Sequence, residues 1–304
     1  MKRDFLTLLD VSPSELAYLV QRAEDMKQQP KPGHCPLLGK SVGLLFEKAS
    51  TRTRVSFEVG IYELGGQSIF LSPRDVHLSR GEPLSDTARV LSRYLSGLVV
   101  RTYSQETIEI LAREADIPVI NALTDLAHPC QALADLLTMK ENVEDLAGTR
   151  VTYLGDGNNV ANSLIIGCAM MGMHLTVACP EGYDPDPDFL DKGVRLAEES
   201  GGSVRMSRDP REASTGADFL YTDVWTSMGQ EEESERRRKD FAPFQLNSER
   251  LSDAGGRAKI LHCLPAHRGE EITDDVIDHP QSVIFDQAEN RLHTQKALLE
   301  WIIE

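Results

Sequence analysis

Val151-Thr152-Tyr153-Leu154-Gly155-Asp156-Gly157-Asn158-Asn159-Val160-Ala161-Asn162-Ser163 reads as a short strand, a glycine turn and the opening of a helix. The same alternation extends in both directions. Strand-like runs are Val42 to Phe46, Ser68 to Leu71, Leu98 to Arg101, Val119-Ile120, Leu175 to Ala178, Phe219 to Thr222, Lys259 to Cys263 and Val283 to Phe285. Between them lie stretches with apolar residues three and four apart, such as Leu91, Tyr94, Leu95 and Leu133, Leu136, Leu137. Strands alternating with helices predict an α/β protein built on parallel sheets flanked by helices. Periodicity lapses from Lys140-Glu141-Asn142 to Leu146-Ala147-Gly148, just before Val151, and this divides the 304 residues into two domains of similar size. Asp184-Pro185-Asp186-Pro187 is a turn that stops one element and starts another. The run Glu231 to Asp240, dense in both signs of charge, reads as a solvated helix.

The Gly155 turn raises the question of a dinucleotide site. Gly155 and Gly157 occupy the first two places of Gly-x-Gly-x-x-Gly, but Val160 stands in the third. The next strand runs into Ala178-Cys179-Pro180, where a ribose-binding acid is needed. Both departures argue against a nicotinamide-dependent dehydrogenase. A ligand at the strand's carboxyl end remains expected, with Asn158 and Asn159 as candidates.

Composition narrows the classes further. Lys and Arg number 32 against 48 Asp and Glu, a net charge of −16. A surface that acidic repels nucleic acid and anionic membranes, so neither is expected as a partner. No run of about 18 apolar residues is present, and Met1-Lys2-Arg3-Asp4-Phe5 lacks the apolar stretch of a secretory leader. Cys35, Cys130, Cys168, Cys179 and Cys263 are odd in number, scattered and never paired as Cys-x-x-Cys. Reduced thiols in a cytoplasmic protein are therefore expected, with no metal and no cofactor.

Four further segments carry chemistry. In Phe46-Glu47-Lys48-Ala49-Ser50-Thr51-Arg52-Thr53-Arg54 a strand ends at Phe46 and a helix starts near Ser50 or Thr51, either a good cap. The free N–H groups and positive end of a helix suit a phosphate, to which Ser50, Thr51 and Thr53 add hydroxyls and Arg52 a guanidinium fork. An ordinary capped helix with surface arginines would look the same. In His128-Pro129-Cys130-Gln131, Pro129 suits the first helical position, so His128 and Gln131 can converge on one ligand, although a histidine there is commonly just a cap. Asp223, in Thr222-Asp223-Val224-Trp225-Thr226-Ser227-Met228-Gly229, follows a strand and falls where open sheets bind ligands. His262-Cys263-Leu264-Pro265 again leads from strand to loop, and Cys263 taken alone reads as a core thiol.

Together, in this order, the Ser-Thr-Arg-Thr-Arg, His-Pro-Cys-Gln, Asp-x-x-x-Ser-Met-Gly and His-Cys-Leu-Pro runs resemble the aspartate/ornithine carbamoyltransferase family over essentially the whole chain, the last two its ornithine branch. The resemblance implies transfer of a carbamoyl group from carbamoyl phosphate to the side-chain amine of L-ornithine, in arginine biosynthesis rather than breakdown. It implies a carbamoyl-phosphate domain, 1–138, on which a C-terminal helix, 288–304, packs back, and an ornithine domain, 149–287. Ser50, Thr51, Arg52 and Thr53 would grip the phosphate together with Arg101. Thr53, Arg101 and His128 would face the carbonyl oxygen and Gln131 the carbamoyl amide, with Cys263, Leu264 and Arg291 also at the carbamoyl phosphate. Asp223, Cys263, Asn159, Ser227 and Met228 would meet ornithine, Arg101, His128, Cys263 and Asp223 being catalytic. The family's shared trimer sites would bring His77, in the loop Ser72 to Gly81, to a neighbour's carbamoyl phosphate, implying a homotrimer or a multiple of trimers. Three other readings compete: a carbamoyltransferase for putrescine, N-acetylornithine or aspartate, a non-catalytic paralogue, and the dehydrogenase already weakened at Val160 and Cys179.

Overall fold

A computed structural model describes residues 2–30, 33–72, 81–226 and 233–303. They form two compact units, Met1–Leu137 with Asn290–Glu304, and Thr138–Glu289. In the first, the order is α1 (Pro13–Gln28), β1 (Ser41–Phe46), α2 (Thr51–Glu63), β2 (Gln67–Leu71), α3 (Leu84–Leu91), β3 (Gly97–Arg101), α4 (Gln105–Glu114), β4 (Val119–Leu123) and α5 (Pro129–Lys140). The strands pair in parallel in the order β2-β1-β3-β4. The two central strands, β1 and β3, are buried almost end to end, which is why they read as unbroken apolar runs. Side-chain caps start the helices: Ser50 before α2, as the sequence predicts, and also Ser12 with Glu15 in a capping box before α1 and Ser104 before α4.

The second unit runs β5 (Arg150–Leu154), α6 (Asn159–Met170), β6 (His174–Ala178), α7 (Pro187–Ser200), β7 (Ser203–Ser207), α8 (Pro210–Ser214), β8 (Phe219–Thr222), α9 (Ser234–Phe241), α10 (Ser248–Asp253), β9 (Lys259–His262) and α11 (Asp274–Ile277). Its parallel sheet has the order β7-β6-β5-β8-β9. Because β5 has β6 on one side and β8 on the other, the winding reverses at the carboxyl ends of β5 and β8, which opens a crevice there. Every residue of α6 from Val160 to Met170 is buried. A methyl at Gly193 of α7 would stand 2.2 Å from Ile165, so glycine lets these two helices approach closely.

The last helix, α12 (Ile284–Ile303), ends in the first unit. There Leu298 and Leu299 are fully buried, Lys296 pairs with Glu63 at 2.6 Å and Arg22 with Glu300 at 2.8 Å. The expected return of the C-terminal helix to the first unit is thus present. No helix among the described residues is long and apolar enough to cross a membrane.

Three sequence expectations need correction, and one strand went unread. Val283 to Phe285 is not a strand: the open edge of β9 is closed instead by Gln281, Val283 and the side-chain amide of Gln287, which bond Ile260 and His262 as α12 begins. The polar run Ser203 to Ser207 is a strand, and its edge position explains its missing apolar signature. The helix expected through Leu91, Tyr94 and Leu95 stops at Leu91, leaving Tyr94 exposed and Leu95 in the core. Finally, the charged run near α9 is not uniformly solvated, for Arg237 is 3% exposed.

Candidate active site

Six of the expected residues in the first unit come together. Arg101 ends β3 and is nearly buried, and His128 precedes α5 with its carbonyl accepting from the Gln131 and Ala132 N–H groups. Gln131 is held from both sides. Its amide donates to Asp135 Oδ1 at 2.8 Å, and its carbonyl oxygen accepts from Arg291 Nη1 at 2.6 Å. The other arm of Arg291 donates to Thr53 Oγ1 at 3.2 Å, so one guanidinium ties α12 to the starts of α2 and α5. Ser50 closes the first turn of α2: its Oγ accepts from Thr53 N–H at 3.2 Å and donates to Thr53 Oγ1 at 3.0 Å. Thr51 and Arg52 stand exposed on that same turn.

Burial pushes the His128 imidazole well below its ordinary range, and the positive charges of Arg291 and Arg101 push it the same way. It is therefore neutral at physiological pH and can donate a hydrogen bond without carrying charge. Burial likewise raises the Cys130 thiol to about 12, which makes it an inert core residue.

In the second unit the crevice at β5 and β8 is lined as topology predicts. Asn158 caps α6, its Oδ1 accepting from Val160 N–H at 2.9 Å and Ala161 N–H at 3.2 Å, while its amide donates to Asp223 Oδ2 at 2.7 Å. Oδ1 of Asp223 accepts from its neighbour Val224 N–H and from the Cys263 thiol, each at 2.8 Å. Asp223 thus gathers the ends of β5, β8 and β9. Leu264 has a positive φ of 57° and is joined to Pro265 by a cis peptide. Its N–H donates to His262 Nδ1 at 2.8 Å, and His262 Nε2 bonds Glu271 at 3.1 Å. Asn159 opens α6, half-buried beside the cap. His77, Ser227 and Met228 lie outside the described residues.

Among the described residues, two groups bring potential metal-binding atoms within 4.8 Å of one another: Asp223, His262 and Cys263, and His267, Glu270 and Glu271. In the first, both ring nitrogens of His262, both oxygens of Asp223 and the Cys263 thiol already take part in hydrogen bonds.

Sequence reasoning missed Asp135 and the pair Asp156–Arg237. Asp135 could have been found from its spacing one helical turn beyond Gln131. Nothing in Arg236-Arg237-Arg238 distinguishes the middle arginine as the buried one.

Comparison with known proteins follows the same division. Residues 3–141 match the model of the aspartate/ornithine carbamoyltransferase carbamoyl-P binding domain, and residues 147–302 that of the Asp/Orn binding domain. An ornithine carbamoyltransferase of Oceanobacillus iheyensis is 53% identical over 299 residues, covering 98% of this chain and 93% of that protein. The solved ornithine carbamoyltransferase from Pyrococcus furiosus superposes with a TM-score of 0.96 at 50% identity, covering 99% of this chain and 97% of the other. The anabolic ornithine carbamoyltransferase from Campylobacter jejuni superposes with a TM-score of 0.93 at 41% identity, covering 99% of each chain. With both domain models matched and the ordered motifs in place at the strand ends, the chain belongs to the aspartate/ornithine carbamoyltransferase family.

Proposed function

We propose that this protein is an enzyme that transfers the carbamoyl group of carbamoyl phosphate to the side-chain amine of L-ornithine, giving L-citrulline and phosphate. The observation that carries the acceptor is the Asp223 carboxylate, nearly buried yet bonded to Asn158 and Cys263 at the crevice of the second unit. A buried anion at that place calls for a cation, and an amino acid's α-ammonium supplies one. The relatives named as ornithine carbamoyltransferases support the same acceptor.

In the first unit, the start of α2 holds the phosphate through Ser50, Thr51, Arg52 and Thr53, with Arg101 beside it. The carbonyl oxygen of the carbamoyl group takes hydrogen bonds from Thr53, Arg101 and neutral His128, while Gln131, fixed by Arg291, reads the amide. These donors strengthen as the oxygen gains charge in the tetrahedral intermediate, one such donor being worth about 3 kcal/mol of barrier. Ornithine's neutral side-chain nitrogen attacks the carbonyl carbon, the carbon–oxygen bond to phosphate breaks, and the proton shed by the nitrogen leaves on the departing phosphate. At neutral pH that amine, with an ordinary pKa of ~10.4, must first be deprotonated at a cost of roughly 4 to 5 kcal/mol. Cys263 and Leu264 also meet the carbamoyl phosphate, and the Cys263 thiol, donating to Asp223 beside the reacting nitrogen, positions the amine. Asn159, Ser227 and Met228 grip the α-amino and α-carboxylate groups. His77 serves a neighbouring chain's carbamoyl phosphate in a homotrimer or a multiple of trimers, in the cytoplasm, with arginine biosynthesis as the physiological direction.

Purified protein offered carbamoyl phosphate with ornithine, putrescine, N-acetylornithine or aspartate in parallel tests this. Citrulline formed with clear preference for ornithine is expected. Preference for another acceptor would overturn the role of Asp223, and no turnover with any acceptor would overturn the activity.

A further inference from the structure

Arg237 has no part in the chemistry just described, yet it is the arginine that α9 turns inward. It is 3% exposed, with its guanidinium 4.9 Å from the Tyr183 ring and 5.3 Å from that of Phe241. Its Nε donates to the Trp225 carbonyl, its Nη2 to Asp156 Oδ2, and its Nη1 lies 3.7 Å from the exposed Glu233. Trp225 is two residues after Asp223, and Asp156 two residues before Asn158. The Asn158 N–H in turn donates to the Asp156 carbonyl at 2.7 Å. These bonds form a closed ring: Arg237 to Asp156, through Gly157 to Asn158, across to Asp223, through Val224 to Trp225, and back to Arg237.

The loop inside the ring has little room to relax. Gly157 donates to the Tyr183 carbonyl at 2.9 Å and runs so close to the 184–185 backbone that no side chain fits. Asp156 and Asp223 repel one another, and Asp156 is largely buried, so a neighbouring cation is needed if both are to stay ionised. A planar fork that bonds two loops at once does this and fixes their separation, which a single-point ammonium cannot do.

We propose that Arg237 is a positioning residue for amino acid recognition: by bridging Asp156 and the Trp225 carbonyl it sets the register in which Asn158 and Asp223 meet, and so tunes affinity for ornithine without touching it. The proposal rests on the assignment of ornithine to Asp223. Removing the bridge should leave the first unit's ligand untouched and change the KM of one substrate only.

The test is steady-state kinetics on Arg237→Met, Arg237→Lys and, as a surface control, Arg238→Met, with the thermal midpoint and active-site concentration of each. Wild-type turnover of ornithine is the baseline, and its absence would count against the functional assignment rather than against Arg237. Given that baseline, Arg237→Met should raise the KM for ornithine at least about tenfold, equivalent to about 1.4 kcal/mol, with the KM for carbamoyl phosphate within about twofold of wild type. Arg237→Lys should recover part of the loss, and Arg238→Met should match wild type. A merely structural arginine would lower the thermal midpoint and active fraction with both KM values unchanged, which would overturn the proposal. If Arg237→Met does not fold, Arg237→Lys decides: an ornithine KM about threefold or more above wild type upholds the proposal, and a smaller change refutes it.

Discussion

Replacing Asp223 by asparagine changes shape very little and chemistry a great deal. Both carboxylate oxygens accept hydrogen bonds from the protein, Oδ2 from the Asn158 amide at 2.7 Å and Oδ1 from the Cys263 thiol and the Val224 N–H at 2.8 Å. An asparagine must turn its NH2 toward one of these donors, so whichever way it flips, one bond becomes a donor facing a donor. The charge that would meet the α-ammonium of ornithine is also lost. Truncating one partner of a buried, hydrogen-bonded charge pair costs about 2 to 5 kcal/mol. At 1.4 kcal/mol per decade, kcat/KM for ornithine should fall by roughly 30-fold to several thousand-fold. The assay is colorimetric citrulline formation at saturating carbamoyl phosphate, with circular dichroism to confirm folding. The KM for carbamoyl phosphate should stay within about twofold of wild type, because the residues that grip its phosphate belong to the first unit. A folded Asp223→Asn protein within about threefold of wild type in kcat/KM for ornithine would refute the reasoning. So would a loss that appears only in carbamoyl phosphate affinity.

Three further outcomes follow from the same geometry. Arg101→Ala should lower turnover at least about 100-fold while circular dichroism stays native, since one donor to a developing oxyanion is worth about 3 kcal/mol; a smaller loss would remove Arg101 from the reacting oxygen. His128 has its folded pKa depressed by burial and by Arg291 and Arg101, so the unfolded chain takes up this proton more readily than the native one. Its contribution to stability is therefore full above the ordinary pKa of ~6.5 and lost as pH falls toward the folded value. Wild type should lose stability relative to His128→Gln below pH ~6.5 in denaturant titrations, and a His128 ring resonance titrating at its ordinary pKa would contradict this. Gly157→Ala would place a methyl 2.1 Å from Pro185 N and 2.3 Å from the Asp184 carbonyl carbon, backbone atoms that must move. A thermal midpoint several degrees lower and a raised KM for ornithine are expected, and an unchanged protein on both counts would show that the loop can yield.

Much of the molecule was written in its local sequence because the signals are local. Strand runs such as Val42 to Phe46 are apolar for burial, and Ser50, Asn158 and Asp186 stand where helices need caps. A helix start or a strand end carries its ligand chemistry in the next few residues, so Ser50, Thr53, His128, Gln131 and Asp223 could be picked out on pattern alone. The resemblance to a family added what spacing could not, namely roles for Arg101, Cys263 and Arg291. Where the reading failed, the deciding partner was distant in sequence. Ser203 to Ser207 is a strand because it lies at a sheet edge beside β6, and Val283 to Phe285 is not one because Gln281 and Gln287 close the edge of β9. Sequence by itself determined the class of fold, the two-part division and the short motifs, since each depends on neighbours a few residues away. Only the tertiary structure decided that Arg291 fixes Gln131 and Thr53, that Cys263 donates to Asp223, and that Arg237 rather than Arg236 or Arg238 is buried. The Arg291 and Cys263 contacts span some 40 to 240 positions of chain, and Arg237 meets Asp156 across 81, all set by which faces the sheets and helices bury and not by any local pattern.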